Sequence, residues 1–342
     1  MAAEKPDRER RTLGTTAGGS TYMITLPKSW VEELQLQKGE EVSLVRVEPG
    51  IYVSPDRDRE APKAQATLTV DDSLRSAALS RALISQYVAG YDVIEVTGPI
   101  DNDQREEIRD TVQRLIGAEI LQETADFMLI QTLRDPQVLS APQLMAYIRE
   151  NAEAMITDAP LALLGGDLER AQGVIQRDER VDRFFLLLSR QLYAALRDPL
   201  AEVERGVSRV EFFNTHTVAR QLERIADHAV KIAQSAEALI LEDRVVPSDL
   251  ADELHTTEGM VRELLDQVLG AFLNLDVAKA QKALITLPDI DDAISQIDRE
   301  LLDLDDSHLA FHLGIVVDSI GRVKDYAANV AELALNAEAL NS

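Results

Sequence analysis

The chain has 342 residues, a length that predicts two or three domains rather than one core. It contains no cysteine, which excludes disulfides, thiolate metal sites and cysteine nucleophiles, so any metal must bind to carboxylate, histidine or backbone oxygen. A formal charge of −25 argues against a generic nucleic-acid-binding protein, and 45% apolar but only 4% aromatic residues favour helices packed through small side chains.

The charge is unevenly distributed. Residues 1–54 hold 7 Lys and Arg against 8 Asp and Glu, a net charge of −1, whereas the remainder holds 28 against 52. The charged N-terminal segment does not resemble a signal peptide and no run of 18 apolar residues occurs, so we expect a cytoplasmic protein without a membrane span. The acidic composition also suits a halophilic protein, because hydrated carboxylates maintain solubility at high salt.

The first predicted domain spans residues 8–55, with the pattern β–turn–β–α–β–turn–β. Two short strands flank the turn AGGS, and the amphipathic helix KSWVEELQL begins after Pro27, which suits the first helical position. Gly39 closes this helix at a position that favours a left-handed backbone, and EEVSLVRV and IYVSP form the last two strands. Residues 56–65 read as a polar linker.

The second predicted domain spans residues 66–136 and has the order βαβαββ, which indicates helices packed on a sheet. Its first helix ends at Gly90, and its second runs from a cap near Asp101 to Gly117. No catalytic spacing occurs in it. We interpret it as a spacer or dimerisation module, with a small-molecule sensor as the alternative.

The rest of the chain is predicted to be helical and contains an internal repeat. Residues 164–192 match 273–301 at an offset of 109, and 222–233 match 320–331 at an offset of 98, so the second copy is 11 residues shorter between these segments. We predict two tandem three-helix units, at 140–242 and 247–342, with six long helices.

Four carboxylates are predicted to form a cluster in the first copy. Asp178 and Asp182 are four residues apart on one helix, and Glu223 and Asp227 repeat that spacing on the next. Because residues four apart share a helix face and these fall in the apolar stripe, we expect them to point into the bundle. Such acids require positive charge, which predicts a divalent or trivalent metal ion, such as iron, zinc, manganese or magnesium, with His216 as a further candidate ligand. The alternative is ion pairing with Arg183, Arg190, Arg220 or Arg224.

The second copy retains only half of this pattern. Asp291 and Asp325 occupy the later position of each pair, but Leu287 and Gly321 replace their partners. We therefore expect a weaker or absent second metal site. A separate pair, His308 and His312, lies at a helix start and reads as a surface pair, with metal binding as the alternative.

At these residues the chain resembles the PhoU family. The strings QLERIADHAVKIA and SIGRVKDYAANVA look like the family's E/D-x-x-x-D helices, which line multinuclear metal clusters in relatives. The resemblance covers about 200 residues and implies Asp178, Asp182, Glu223 and Asp227 as ligands. It also implies an all-α bundle of two PhoU-like repeats.

The first domain is similar to the SpoVT/AbrB-like swapped-hairpin DNA-binding domain, through TYMITLPKSWVEELQLQKGEEVSL and IYVSP. That resemblance implies an interleaved homodimer whose residues 10–30 face DNA. The candidate DNA contacts are Arg10, Arg11, Thr15, Thr16, Ser20 and Lys28. Dimerisation alone, or binding of a partner protein as in related antitoxins, is the alternative.

The whole chain is thus predicted to be a multi-domain α+β protein that resembles an archaeal group of phosphate regulators. The resemblance implies a non-enzymatic regulator of phosphate uptake that binds metal and promoter DNA, and contacts a phosphate ABC-transporter ATPase or a signalling protein. There is no phosphate-binding loop of the G-x-x-x-x-G-K-[ST] type and no dinucleotide fingerprint. The alternatives are a metal-dependent hydrolase or oxidase, and a transporter partner with no DNA role.

Overall fold

The computed structural model describes residues 9–16, 18–19, 21–47, 50–55, 63–132, 139–197 and 207–341. The chain divides into two compact units, Met1–Pro62 and Lys63–Ser342. No helix within the described ranges is long and apolar enough to cross a membrane.

The first unit consists of two small β-hairpins and one short helix. Its elements are β1 (Gly14–Thr15), β2 (Tyr22–Met23), α1 (Lys28–Glu33), β3 (Val42–Val47) and β4 (Gly50–Pro55). Strand β1 pairs antiparallel with β2, and β3 pairs antiparallel with β4, which confirms the predicted order. Pro27 precedes α1 as its cap residue rather than occupying its first turn, and Gly39 has the expected positive φ, +90°.

The first unit has almost no core of its own. Pro27 is the one buried residue among those described here. Large apolar side chains are instead exposed, including Leu44 at 67% and Ile51 at 73%. A single hairpin is marginally stable in water, so this composition requires another surface to cover it.

The second unit begins with a four-stranded sheet covered on one face by two helices. Its elements are β5 (Gln65–Thr69), α2 (Ala77–Val88), β6 (Val93–Thr97), α3 (Asn102–Arg114), β7 (Ala118–Glu123) and β8 (Phe127–Thr132). The strand order is β5-β6-β8-β7, with β5 parallel to β6 and β8 antiparallel to both neighbours. The βαβαββ prediction is confirmed, and a capping box between Asp101 and Gln104 starts α3.

A helical bundle completes the second unit. Its described helices are α4 (Ala141–Gly165), α5 (Leu168–Arg197), α6 (Arg209–Leu241), α7 (Ser248–Asn274), α8 (Val277–Leu284), α9 (Leu287–Leu301) and α10 (Ser307–Asn341). The starts of α5 and α8 differ by 109 residues, and those of α6 and α10 by 98, as the repeat predicts. The core between the helices is built mainly from alanine and aliphatic side chains, with a few Phe and Met residues.

The prediction of six long helices is wrong in the second copy, where the described ranges contain two helices in place of one. Helix α8 ends at Leu284 and α9 starts at Leu287, with Pro288 in its first turn. Proline has no amide hydrogen to bond the carbonyl of Leu284, so the helix breaks there. The break falls at the position equivalent to Asp178 in the first copy.

An ion pair joins the sheet module to the bundle. Arg190 of α5 donates to Asp92 Oδ1 at 3.1 Å and to the carbonyls of Tyr87 and Tyr91 at 2.6 and 2.9 Å. Asp92 is 2% exposed, and its other oxygen accepts the amide of Ala64 at 2.8 Å. Both oxygens of the buried carboxylate thus accept hydrogen bonds. The helix that contacts the sheet module through Arg190, α5, also contains Asp178 and Asp182.

Candidate functional sites

Helices α5 and α6 pack side by side and bring the four predicted acids into one electrostatic cluster. Asp182 and Asp227 each raise the pKa of Asp178, and they also raise the pKa of Glu223. Asp227 likewise raises the pKa of Asp182. Mutual effects of this kind require the carboxylates to be close, so the two i,i+4 pairs face one another across the helix junction.

Burial is the first cause of these shifts. It raises the pKa of Asp178 to about 7 and that of Glu223 to about 7, with neighbouring carboxylates adding to both. The pKa values of Asp182 and Asp227 are also raised, again chiefly by burial. Asp178 Oδ1 is buried and has no hydrogen-bond partner among the residues that the structure describes. Near neutral pH the cluster therefore holds protons or requires a cation.

The sequence predicts that all four acids point into the bundle, and the structure differs from this prediction at Asp227. Asp178, Asp182 and Glu223 are partly buried, whereas the Asp227 side chain is exposed, although nearby protein atoms still desolvate its carboxylate enough to raise its pKa. The difference arises because Ala226 and Ala229 occupy the inward face of α6 at this point, both with 0% exposure. The cluster lies at the rim of the α5–α6 junction and opens to solvent at Asp227.

Three of the four arginines proposed as alternative partners have other contacts, although Arg220 and Arg224 also lower the pKa of Glu223 against the larger raising effect of burial. In the ranges that the structure describes, no ion pair joins these four carboxylates to an arginine or lysine. Arg190 binds Asp92, Arg220 lies over the Phe185 ring at 4.6 Å, and Arg224 lies over the Tyr326 ring at 5.6 Å. Arg114 of α3 lowers the pKa of Asp182, so one cation from the sheet module faces the cluster. Sequence spacing gave no indication of that approach.

The cluster fits a cation in its chemistry but is not preassembled around a single ion. Carboxylate oxygens are suitable donors for hard cations, and Asp178 Oδ1 forms no hydrogen bond within the described ranges that would compete with one. However, no group of three or more His, Asp or Glu residues in the described ranges is close enough to hold a metal ion. His216 Nε2 lies 2.9 Å from Ser189 Oγ, and burial lowers its pKa to about 4. Binding through these acids requires side-chain rotation.

The second repeat carries its own cation at the equivalent place. Lys324 contacts Asp291 and lies 3.2 Å from Asp325 Oδ1, and Arg322 is 3.8 Å from Asp325 Oδ2. By the repeat offset of 98, Lys324 occupies the position that is equivalent to Ala226 in the first copy. The second repeat has therefore lost two acids and gained an ammonium group, so its remaining carboxylates are neutralised from within.

The predicted surface pair, His308 and His312, lies in the first turns of α10, where His308 is exposed but His312 is half-buried. His308 Nδ1 is 3.0 Å from Glu242 Oε2, and the rings of His308 and His312 are 5.5 Å apart. His308 is thus engaged by a carboxylate.

The described DNA-contact candidates surround the first hairpin. Thr15 lies in β1, and Thr16 accepts the amide of Gly19 at 2.8 Å in the turn. Arg11 is paired with Glu9, and Lys28 lies 3.4 Å from Glu32. Arg10 is exposed and Ser20 lies outside the described residues. Neighbouring glutamates thus partly offset the positive charge of this face.

Comparison with known proteins identifies two domains. Residues 147–236 match the family model of the PhoU domain, and residues 15–61 match that of "Antidote-toxin recognition MazE, bacterial antitoxin". A phosphate-specific transport system accessory protein PhoU homolog from Caulobacter vibrioides is 29% identical over 190 residues, covering 53% of this chain and 79% of its own. The corresponding protein from Clostridium acetobutylicum is 27% identical, covering 45% and 68%.

Structural comparison supports the same fold for the bundle. The crystal structure of PhoU from Pseudomonas aeruginosa matches with a TM-score of 0.52 and 22% sequence identity. The match covers 59% of this chain and 96% of that one. The helical bundle therefore has a PhoU-like fold.

Proposed function

We propose that this chain, which joins a MazE/AbrB-like N-terminal domain to a PhoU domain, is a regulator of phosphate uptake that binds promoter DNA and a metal ion. The relatives named as accessory proteins of phosphate-specific transport support the phosphate role. In this proposal the chain is not an enzyme. It acts through contacts with DNA and with a phosphate ABC-transporter ATPase or a signalling protein.

The observation that carries the metal proposal is the difference between the repeats. The acids of the second repeat have Lys324 as an internal cation, whereas the four acids of the first have Ala226 in its place. An external divalent or trivalent ion, held by Asp178, Asp182, Glu223 and Asp227, supplies the missing charge. Neutralising the acids draws α5 and α6 together at this junction.

Elemental analysis of the purified full-length chain tests the metal proposal. We expect bound metal in the wild type and its loss in an Asp178→Asn/Asp227→Asn double variant. The matched control is Asp291→Asn/Asp325→Asn in the second repeat, which should retain the metal. Equal metal content in all three proteins would contradict binding at the first repeat.

The DNA proposal rests on the N-terminal domain and its near-neutral charge within an acidic chain. Cationic side chains near the first hairpin would contact phosphates, and Thr15 and Thr16 would fix the backbone approach. As a homodimer, the domain presents two such faces to one operator.

A gel-shift series on the full chain, with promoters of phosphate-transport genes at stated salt, tests this role. We expect Arg11→Ala/Lys28→Ala to weaken binding, while Lys38→Ala, an exposed lysine outside residues 10–30, should change it little. Unchanged binding by the double variant would refute the assigned face. Absence of binding by the wild type would favour a role in partner-protein recognition.

A further inference from the structure

A groove of about 590 Å³ lies between α6 and α10, at the junction of the two repeats. Its polar lining consists of Arg224, Asp227, His228, Lys231, Gln234 and Tyr326. The groove borders the acid cluster, because Asp227 belongs to both. The other five side chains carry hydrogen-bond donors and have no role in the metal proposal.

Two cations that line the groove form no ion pair within the described part of the chain. Arg224 and Lys231 are seven residues apart on one face of α6, so their Cα atoms are separated by about 10 Å along the axis. Both are exposed, and neither forms an ion pair with any described residue. Arg224 instead lies over the Tyr326 ring. In a chain with a net charge of −25, two exposed cations along one groove that form no ion pair in the described ranges are suited to an anion.

A buried histidine provides an independent indication of a ligand. His228 is 6% exposed and lines the groove, and its Nδ1 has no hydrogen-bond partner among the described residues. Its ring lies 5.8 Å from the Tyr326 ring, which occupies the equivalent position of the second repeat. Buried polar groups are normally satisfied, so the unsatisfied imidazole indicates a missing partner in this groove.

Asp227 connects the groove to the acid cluster. Its carboxylate lines the groove together with Arg224 and Lys231, and it is also one of the four acids of the cluster. A cation bound by Asp227 therefore removes repulsion from an anion in the groove, and the two ions favour each other's binding.

We propose that this groove binds a phosphate group, held by Arg224 and Lys231 with donors from His228, Gln234 and Tyr326. The proposal deepens the proposed function, because it gives the phosphate response a binding site on the chain itself. Two flexible cations with neutral donors between them suit a tetrahedral oxyanion of this size. Free phosphate and the terminal phosphate of a nucleotide share this chemistry.

Titration calorimetry with inorganic phosphate on the full-length chain tests the site. We expect Arg224→Gln and Lys231→Gln each to weaken binding about tenfold or more, as the loss of a charge-assisted hydrogen bond predicts. Arg322→Gln is the matched control, because Arg322 occupies the position of Arg224 in the second repeat but lies near Asp318 and Asp325. Equal losses in all three variants, or no binding by the wild type at millimolar phosphate, would overturn the proposal.

Removing the carboxylate of Asp227 provides a second test, because the proposal predicts tighter phosphate binding, whereas general damage to the groove would weaken it. With a chelator present, Asp227→Asn should bind phosphate more tightly than the metal-free wild type, because it removes the repelling carboxylate from the groove. Without the chelator it should contain less metal, because it removes a ligand from the cluster. Weaker phosphate binding by the variant than by the metal-free wild type would contradict the assigned geometry. A parallel titration with ADP distinguishes the source, since much tighter binding of ADP would identify a nucleotide phosphate as the ligand.

Measuring phosphate, metal and promoter binding on the same wild-type and variant proteins distinguishes failure of the groove proposal from failure of the proposed function. If phosphate does not bind but DNA and metal binding follow the results described above, the groove assignment fails alone. If phosphate binds as expected and promoter binding is absent, the DNA role fails and the groove remains.

Discussion

At the scale of single residues, the raised pKa values of the acid cluster determine how stability depends on pH. The pKa of Asp178 rises from an ordinary 3.8 to about 7 on folding, and that of Glu223 from 4.5 to about 7. At a pH between the unfolded and the folded pKa, each of these carboxyl groups is protonated in the folded chain and ionised in the unfolded chain. Stability from these groups is therefore fully present below the unfolded pKa and is lost as pH rises through the folded one.

We predict that Asp178→Asn reduces the fall in stability between pH 5 and pH 8 in metal-free protein, relative to the wild type, because asparagine does not titrate. Urea unfolding in the presence of a chelator at several pH values measures the difference. Other acids have lowered pKa values and the opposite trend, so the wild-type minus variant difference is the relevant quantity. A difference that is flat with pH would contradict the burial of Asp178.

Equivalent aspartates in the two repeats should respond in opposite ways to neutralisation. Asp182 faces other acids and has a raised pKa, whereas Asp291 contacts Lys324. Asp182→Asn should stabilise the metal-free protein at pH 8, because it removes repulsion within the cluster. Asp291→Asn should leave stability unchanged or lower it by up to about 1 kcal/mol, the usual contribution of an exposed ion pair. Thermal unfolding in the presence of a chelator compares the two variants. Equal changes in melting temperature with the same sign would contradict the predicted difference between the repeats.

At the scale of helices and strands, the junction between α5 and the sheet module depends on one arginine. Arg190 compensates Asp92, which is 2% exposed, whereas its repeat counterpart Arg299 is exposed and contacts only its own helix among described residues. Removing one partner of a buried pair costs roughly 3–5 kcal/mol, because the other charge stays buried. We predict a loss of this size for Arg190→Met and a change within about 0.5 kcal/mol for Arg299→Met.

Chemical denaturation of the two variants measures this difference, and a double variant with Asp92→Asn identifies its cause. If the loss comes from the uncompensated carboxylate, Asp92→Asn should restore part of the stability of Arg190→Met. No recovery would indicate that the lost hydrogen bonds to the carbonyls of Tyr87 and Tyr91 dominate.

The elements themselves were largely predictable, because local pattern determines where helices start. The repeat offset of 109 predicts the start of α8 from that of α5, and the offset of 98 predicts the start of α10 from that of α6. The capping residue and the following glycine predict the two ends of α3. The break before Pro288 also has a sequence signal, the proline itself, but the repeat pattern alone predicts one continuous helix there. The exposure of Asp227 was not predictable, since it depends on which face of α6 packs against its neighbours.

Contacts between distant segments were the part that sequence periodicity left undetermined. Helix spacing makes Arg190 a candidate partner for the acid cluster, yet it binds Asp92, 98 residues earlier in the chain. The groove beside Tyr326 likewise combines residues from both repeats. Its signal, Arg224, His228 and Lys231 at spacings of four and three, is a common surface pattern on helices and gained meaning only from the facing helix.

At the scale of the whole molecule, the exposed apolar surface of the first unit predicts self-association. Residues 9–55, where described, bury one side chain, so pairing of two copies is needed to cover the hairpin formed by β3 and β4. We predict a homodimer in solution that Leu44→Asp converts to monomer, because a charge at the interface opposes burial.

Light scattering coupled to size exclusion measures the mass of the full chain and its variants. Ile285→Asp is the matched control, since Ile285 is 75% exposed but lies in the bundle between α8 and α9, away from the N-terminal unit in the sequence. It should leave the dimer intact, whereas Leu44→Asp should also abolish promoter binding if two paired units are needed to span an operator. A dimer that survives Leu44→Asp and dissociates with Ile285→Asp would place the interface in the bundle, and the exposed face of the first unit would then require a partner other than a second copy.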